Sequence, residues 1–135
     1  MSCIYTEHET APVAEIRIVG QVTQNDMDNV LPKLEALIEK HGEIRIVEIV
    51  ESFDGFDPTT ILDGIKFDIQ HLRDVTHAAV VSDIPWIGFL SRASGMVMPV
   101  TIRAFSMREL DAARAWALDP EGQEEDLDDT DNMPV

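Results

Sequence analysis

The sequence predicts an α/β domain built on a mostly parallel sheet of four or five strands, with about four helices. Three observations carry that expectation. Apolar runs of strand length alternate four times with stripes of helical period. Prolines, glycines and capping residues punctuate the boundaries between them. One run, residues 78–81 (AAVV), is apolar on both parities, as a central strand covered on both faces must be.

Residues 13–19 (VAEIRIV) alternate and read as the first firm strand, ended by Gly20. Thr23 with Asp26 three positions on makes a weak capping box, so a helix should start there. Met27, Val30, Leu31, Leu34, Leu37 and Ile38 fall on one face of it. Pro32 lacks an amide hydrogen, which predicts a kink or a fresh helix start, and Gly42 after His41 suits a C-terminal cap. Residues 43–51 (EIRIVEIVE) form the second strand, followed by an acidic turn over residues 53–57. Asp57 and Pro58 open the second helix as cap and first residue, with Ile61, Leu62, Ile65, Ile69 and Leu72 as its buried stripe. Residues 75–82 give the third strand, and Asp83 with Pro85 begins a third helix. Residues 99–105 (PVTIRAF) are the fourth strand. Ser106 and Glu109 then form a full capping box for a last helix, which runs to about Leu118, with Phe105 stapled onto Leu110. Residues 2–7 (SCIYTE) add an antiparallel edge strand through the turn HETAP.

The pentapeptide EIRIV occurs at 15–19 and again at 43–47. If the two strands are neighbours, Glu15, Arg17, Glu43 and Arg45 share parity and form a cross-strand charge ladder. The sharper alternative gathers Arg17, Arg45 and Arg103 into an anion site.

A chain of 135 residues, 44% hydrophobic and 27% charged, has the length and composition of one globular domain. The net charge of −16 is unevenly placed. Eight of the 26 acids lie in residues 119–135 without a base, so residues 1–118 hold 18 acids against 10 bases. The chain therefore divides into a domain over 1–118 and an acidic tail, expected to be disordered, over 119–135. Because the domain itself is acidic, binding to a phosphate backbone would start against repulsion, and nucleic acid is not an expected partner. No apolar stretch approaches membrane-span length, and the N-terminal decapeptide has no basic and apolar sections of a secretion signal. One cysteine, Cys3, excludes an internal disulfide, and a cytoplasmic location is expected.

The catalytic inventory is thin. The chain lacks G-x-x-x-x-G-K-[ST], G-x-G-x-x-G and G-x-S-x-G, and its four histidines, His8, His41, His71 and His77, offer no zinc-like spacing. His41 and His71 fall near helix C-termini, where the helix dipole favours an imidazolium. The acid pairs Asp54/Asp57 and Asp63/Asp68 fit solvated surface carboxylates better than a general acid and base. Cys3 has no basic neighbour to activate it. No enzymatic activity, cofactor or metal is expected.

Two stretches call for more than packing. The first, VESFDGFDPTTILDGI at 50–65, places Asp54, Gly55, Asp57, Thr59 and Thr60 where a parallel sheet gathers helix N-termini. A phosphoryl group on Thr59 or Thr60 would meet a favourable dipole, although Asp57 already caps the helix, so a capped helix with two solvated threonines is the plainer reading. The second is DIPWIGFLSRASGMVM at 83–98. Ile84, Trp86, Ile87, Phe89 and Leu90 leave that helix apolar on most sides, which asks for a second buried surface. Self-association or a regulatory protein partner would cover it, a small apolar ligand would fill it, or the fold itself wraps it.

The order of elements, with Gly20-Gln-Val-Thr23 and Asp26, Leu31-Pro32, His41-Gly42, Phe53-Asp-Gly-Phe56, Leu62-Asp63, Lys66-Phe67 and His71, resembles the SpoIIAA-like family of the STAS superfamily, relatives of anti-sigma-factor antagonists. Ala79-Val-Val81, Asp83, Trp86, Arg103-Ala-Phe105, Glu109-Leu110, Ala113 and Trp116 extend the likeness over about residues 16–118. The resemblance implies protein contacts rather than catalysis, and a fold also related to CRAL-TRIO lipid carriers. The antagonists place a serine in an Asp-Ser-Ser/Ala-Gly context at the start of the second helix. This chain departs from them there, reading Asp57-Pro-Thr-Thr60. The expectation is thus a cytoplasmic interaction module, homodimeric through the third helix, with a carrier of a small apolar or lipid-like ligand bound between the second and third helices as the alternative.

Overall fold

The structure, a computed structural model, describes residues 3–56, 74–84 and 100–122. They form a five-stranded sheet in the order β1 (Cys3–Glu7), β2 (Val13–Val22), β3 (Ile44–Phe56), β4 (Val75–Val81) and β5 (Thr101–Phe105). β1 is antiparallel to β2, and the other neighbours run parallel. Helix α1 (Gln24–His41) connects β2 to β3. A 3-10 turn (Met107–Glu109) leads from β5 into α2 (Leu110–Leu118). The second and third predicted helices, with Asp57, Thr59, Thr60, Trp86, Ile87, Phe89 and Leu90, lie outside the described residues.

Strand parity sorts the core into two clusters. On one face Ala14, Ile18, Val50 and Val80 pack with Val30, Leu34, Leu37 and Ile38 of α1. On the other, Val47, Ile49, Ala79 and Val81 meet Ala113, Trp116 and Ala117 of α2. Val47, Ile49, Ala79 and Val81 are fully buried, as a central strand pair requires.

Helix α1 starts where the sequence places it. Thr23 accepts the Asp26 amide at 3.2 Å, and Asp26 Oδ2 accepts the Thr23 amide at 2.8 Å. Pro32 starts no new helix, because α1 runs through it as one element. Its buried face, Val30, Leu34, Leu37 and Ile38, continues in register across the proline, so packing outweighs the loss of one backbone hydrogen bond. Gly42, at φ +84°, closes the helix with its amide on the Ile38 carbonyl.

Two boundaries move. Gly20 does not end β2: the strand continues to Val22 through a glycine at φ +81°. β3 likewise runs on to Phe56, so Asp54 and Gly55 belong to a strand rather than to a turn. The extension has a physical cause in the pairing. Register shifts fall between Ile18/Val19 and Gly20/Gln21, skipping Glu51 and Asp54 on β3. Each skip is a bulge that lets one polar residue be carried inside a paired strand. The positive φ of Gly20 is part of the same irregularity, and its amide is taken by Ser52 Oγ at 3.0 Å.

Candidate functional site

Three of the predicted site residues fall where their surroundings can be read: Asp54, Gly55 and Ile84. Asp54 is exposed at the β3 bulge, beside Gly20. Gly55 pairs with Gln21. Ile84 is half-buried and packs against the α1-side core.

Around Ile84, the carboxyl ends of β3, β4 and β5 are stitched together by polar side chains. Ser82 Oγ donates to the Val50 carbonyl at 2.9 Å and accepts the Ile84 amide at 3.1 Å. Asp83, expected to start the third helix, accepts the Met107 amide at 2.9 Å and so ties β4 to the turn before α2. Glu109 reaches back to the Ser106 amide at 2.9 Å, as its capping box requires. These groups satisfy backbone donors and acceptors at the edge where parallel sheets usually bind ligands. Among the described residues the strand order runs 1-2-3-4-5 without a reversal, so these strands make no switch point.

The predicted charge ladder does not form. β2 and β3 pair four residues out of step with the EIRIV repeat, placing Glu15 opposite Val47 and Arg17 opposite Ile49, while Glu43 precedes β3. The charges find other partners on the same α2-side face. Arg17 pairs with Glu51 at 2.8 Å, and Arg114 of α2 holds Glu15 through Nε and Nη2. That hydrogen bond to Glu15 raises the Arg114 pKa, against a smaller opposing effect of burial. The three-arginine anion site is not assembled either. Arg45 Nη2 donates to the Leu118 carbonyl at 3.4 Å, a basic group at the C-terminus of α2. Arg103 lies over Phe105 and Trp116, its guanidinium carbon 5.2 and 5.6 Å from the ring centres.

Histidine chemistry is equally local. His77 meets Trp116 edge-on at 5.4 Å, with Nδ1 2.9 Å from Thr76 Oγ1. His41 sits in the last turn of α1 as expected. His8 Nδ1 accepts the Thr10 and Ala11 amides at 3.2 and 3.1 Å, which fixes the β1–β2 hairpin. Cys3 is buried in the core, and burial, with Asp26 and Glu48 adding repulsion, raises its thiol pKa to about 11. No group of three or more metal-binding side chains occurs among the described residues. No helix among them is long and apolar enough to cross a membrane.

Two features of the α2-side face were not read from the sequence. Ile4 and Val19 remain 52% and 42% exposed on β1 and β2, where α2, seated on β3 and β4, does not reach. On the same face a cavity of about 400 Å³ opens between the hairpin and the end of α2. Only the tertiary fold brings residues 6–15 against 114–118, so no local motif announces it.

The family described as SpoIIAA-like matches residues 13–118. Among solved structures, an uncharacterised protein of the DUF3478 family with a SpoIIAA-like fold, from Shewanella loihica PV-4, superposes with a TM-score of 0.70 at 17% identity. The match covers 85% of this chain and 91% of that one. The search of curated proteins by sequence found no match.

Proposed function

Because the chain belongs to the SpoIIAA-like family, we propose that it is a non-catalytic protein-interaction or regulatory module that self-associates in the cytoplasm. The observation behind this reading is the part of the sheet that α2 leaves uncovered. Ile4 and Val19 stand exposed beside the Arg17–Glu51 ion pair, apolar groups next to a salt bridge whose members are only partly solvated. A two-fold contact needs one patch that complements itself, and a patch holding both signs of charge with two apolar side chains meets that need. The polar residues at the carboxyl edge serve backbone caps, which favours a scaffold over a reaction centre there. The stretch Ile84–Leu90 with Trp86, Ile87 and Phe89 stays a competing surface, and Thr59 or Thr60 a possible switch in the loop with Asp54, Gly55 and Asp57.

Size-exclusion chromatography with light scattering on the full chain tests the proposal. A dimer is expected, reduced to monomer by Ile4→Glu if the uncovered sheet is the contact, or by Trp86→Glu if the second surface is. A folded wild-type chain that stays monomeric across the concentration range would refute self-association. Intact mass of the same sample reads any covalent phosphate.

A further inference from the structure

Resting on the reading that the chain self-associates, we infer that the contact is a strand pairing, in which β1 of one copy lies antiparallel to β1 of a second, centred on Thr6, and two five-stranded sheets join into one. β1 is an edge strand, paired only with β2 among the described residues. Its ladder is regular over five pairs, and residues 3–7 (CIYTE) hold no proline, lysine or bulge of the kind that blunts a free edge.

The register follows from which backbone groups point outward. The His8 amide donates to the Val13 carbonyl at 2.9 Å, so these two opposed residues form a hydrogen-bonded pair. Alternation then turns the amides and carbonyls of Thr6 and Ile4 toward β2, and those of Cys3, Tyr5 and Glu7 toward the open edge. Asp26 of α1 agrees with that parity, because its carboxylate accepts the Cys3 amide, which a group turned toward β2 could not give. The same bond closes the Cys3 amide to another strand. Tyr5 and Glu7 remain, and each satisfies the other when Tyr5 stands opposite Glu7 of the second copy, exchanging both backbone bonds, with the reverse pair across the two-fold axis. Side chains complement one another in this register. On the α1 side Lys33 lies over the Tyr5 ring, 5.6 Å from its centre, and Glu7 of the second copy falls beside that ring. Lys33 and Glu7 are both exposed, so an acid of each copy meets a base of the other. On the α2 side Thr6 faces Thr6 of the second copy, and Ile4, 52% exposed, faces its His8.

Thr6→Cys in the full chain tests the register. Opposed residues of a non-hydrogen-bonded pair lie about 4.5 Å apart at Cα, within reach of a disulfide. Ile4→Cys sits on the same face and is also exposed, but its two copies would stand about 14 Å apart, four residues along the strands. With oxidised glutathione and non-reducing electrophoresis, Thr6→Cys should become a covalent dimer. Ile4→Cys and the wild type, whose Cys3 is buried, should run as monomers. Glu7→Pro removes one outward amide per copy at an edge position that tolerates proline, and light scattering should show the dimer weakened at least about tenfold. Glu7→Gln keeps the amide and should weaken it by less than about fivefold. Circular dichroism shows whether each variant is folded, and if Glu7→Pro is not, the cross-link carries the test alone. Suppose the wild type is a dimer and Thr6→Cys fails to cross-link, Ile4→Cys cross-links as readily, or folded Glu7→Pro associates at full strength. Any of these would overturn the edge pairing and leave self-association standing. A wild-type monomer at every concentration would overturn both.

Discussion

Asp26 is 2% exposed and yet charged, which makes it the residue with the clearest energetic consequence. Burial alone would raise its carboxyl pKa. The hydrogen bonds from the amide and hydroxyl of Thr23, with the backbone of Cys3, outweigh that and hold it below the usual aspartate range. A depressed folded-state pKa stabilises the fold fully above the unfolded value near 3.8, and the contribution is lost as pH falls through the folded value. Asp26→Asn keeps the shape but replaces a charged acceptor with an amide whose NH2 opposes some of the same donors. The expected cost is about 1–2 kcal/mol at pH 7 in urea unfolding. The gap from wild type should shrink as the titration is repeated below pH 4. A gap that stays constant with pH would show that the carboxylate charge is not the stabilising feature. The capping role was legible from Thr23 and Asp26 alone. The burial was not, because it comes from β1 folding over the start of α1.

At the scale of elements, the sequence announced the strands and helices that it could specify locally. The alternation in residues 13–19, the double-parity run 78–81 and the two capping boxes depend on neighbours in sequence, and each element lies where those signals put it. What failed was pairing. The ladder assumed that the two EIRIV segments align, but the register is set by which apolar residues reach the core, and that offsets them by four. The bulges at Glu51 and Asp54 were hidden for the same reason, since a bulge is a property of two strands. Of the candidate site, the cavity was illegible because its walls are some hundred residues apart in sequence. Helix α2 gives a test of how an element is fixed by one side chain. Trp116 is 1% exposed between Phe105, His77 and Arg103, and its indole Nε1 has no partner among the described residues. Trp116→Ala is expected to cost about 3–5 kcal/mol by opening a cavity in the α2-side core. Trp116→Phe removes an unsatisfied donor along with the lost volume, so about 1–2 kcal/mol is expected. A Trp116→Phe loss well above that range in denaturant melts would mean that the indole N–H makes a hydrogen bond that phenylalanine cannot replace.

At the scale of the whole molecule, the division between domain and tail is set by where the body stops using the chain. The sequence puts that boundary at residue 118, where helical periodicity ends, but the contacts continue past it. The Asp119 amide donates to the Ala115 carbonyl at 3.0 Å, Pro120 is buried, and Gly122 donates to Asp119 at 3.3 Å. Arg45 also anchors the Leu118 carbonyl. A chain cut after 118 loses the cover of Pro120 and puts a carboxylate at the negative end of α2, so it should fold cooperatively but lose about 1–2 kcal/mol. A chain cut after 122 keeps these contacts and sheds six acids, which takes the net charge from −16 to −10. Less self-repulsion means that its melting temperature in low salt should equal or exceed that of the full chain, with the difference vanishing in high salt. Thermal melts of the three lengths at two ionic strengths decide the matter. If the cut after 122 lowers the melting temperature at both, residues 123–135 support the body through contacts rather than burdening it with charge, and they would have to be counted as part of the domain.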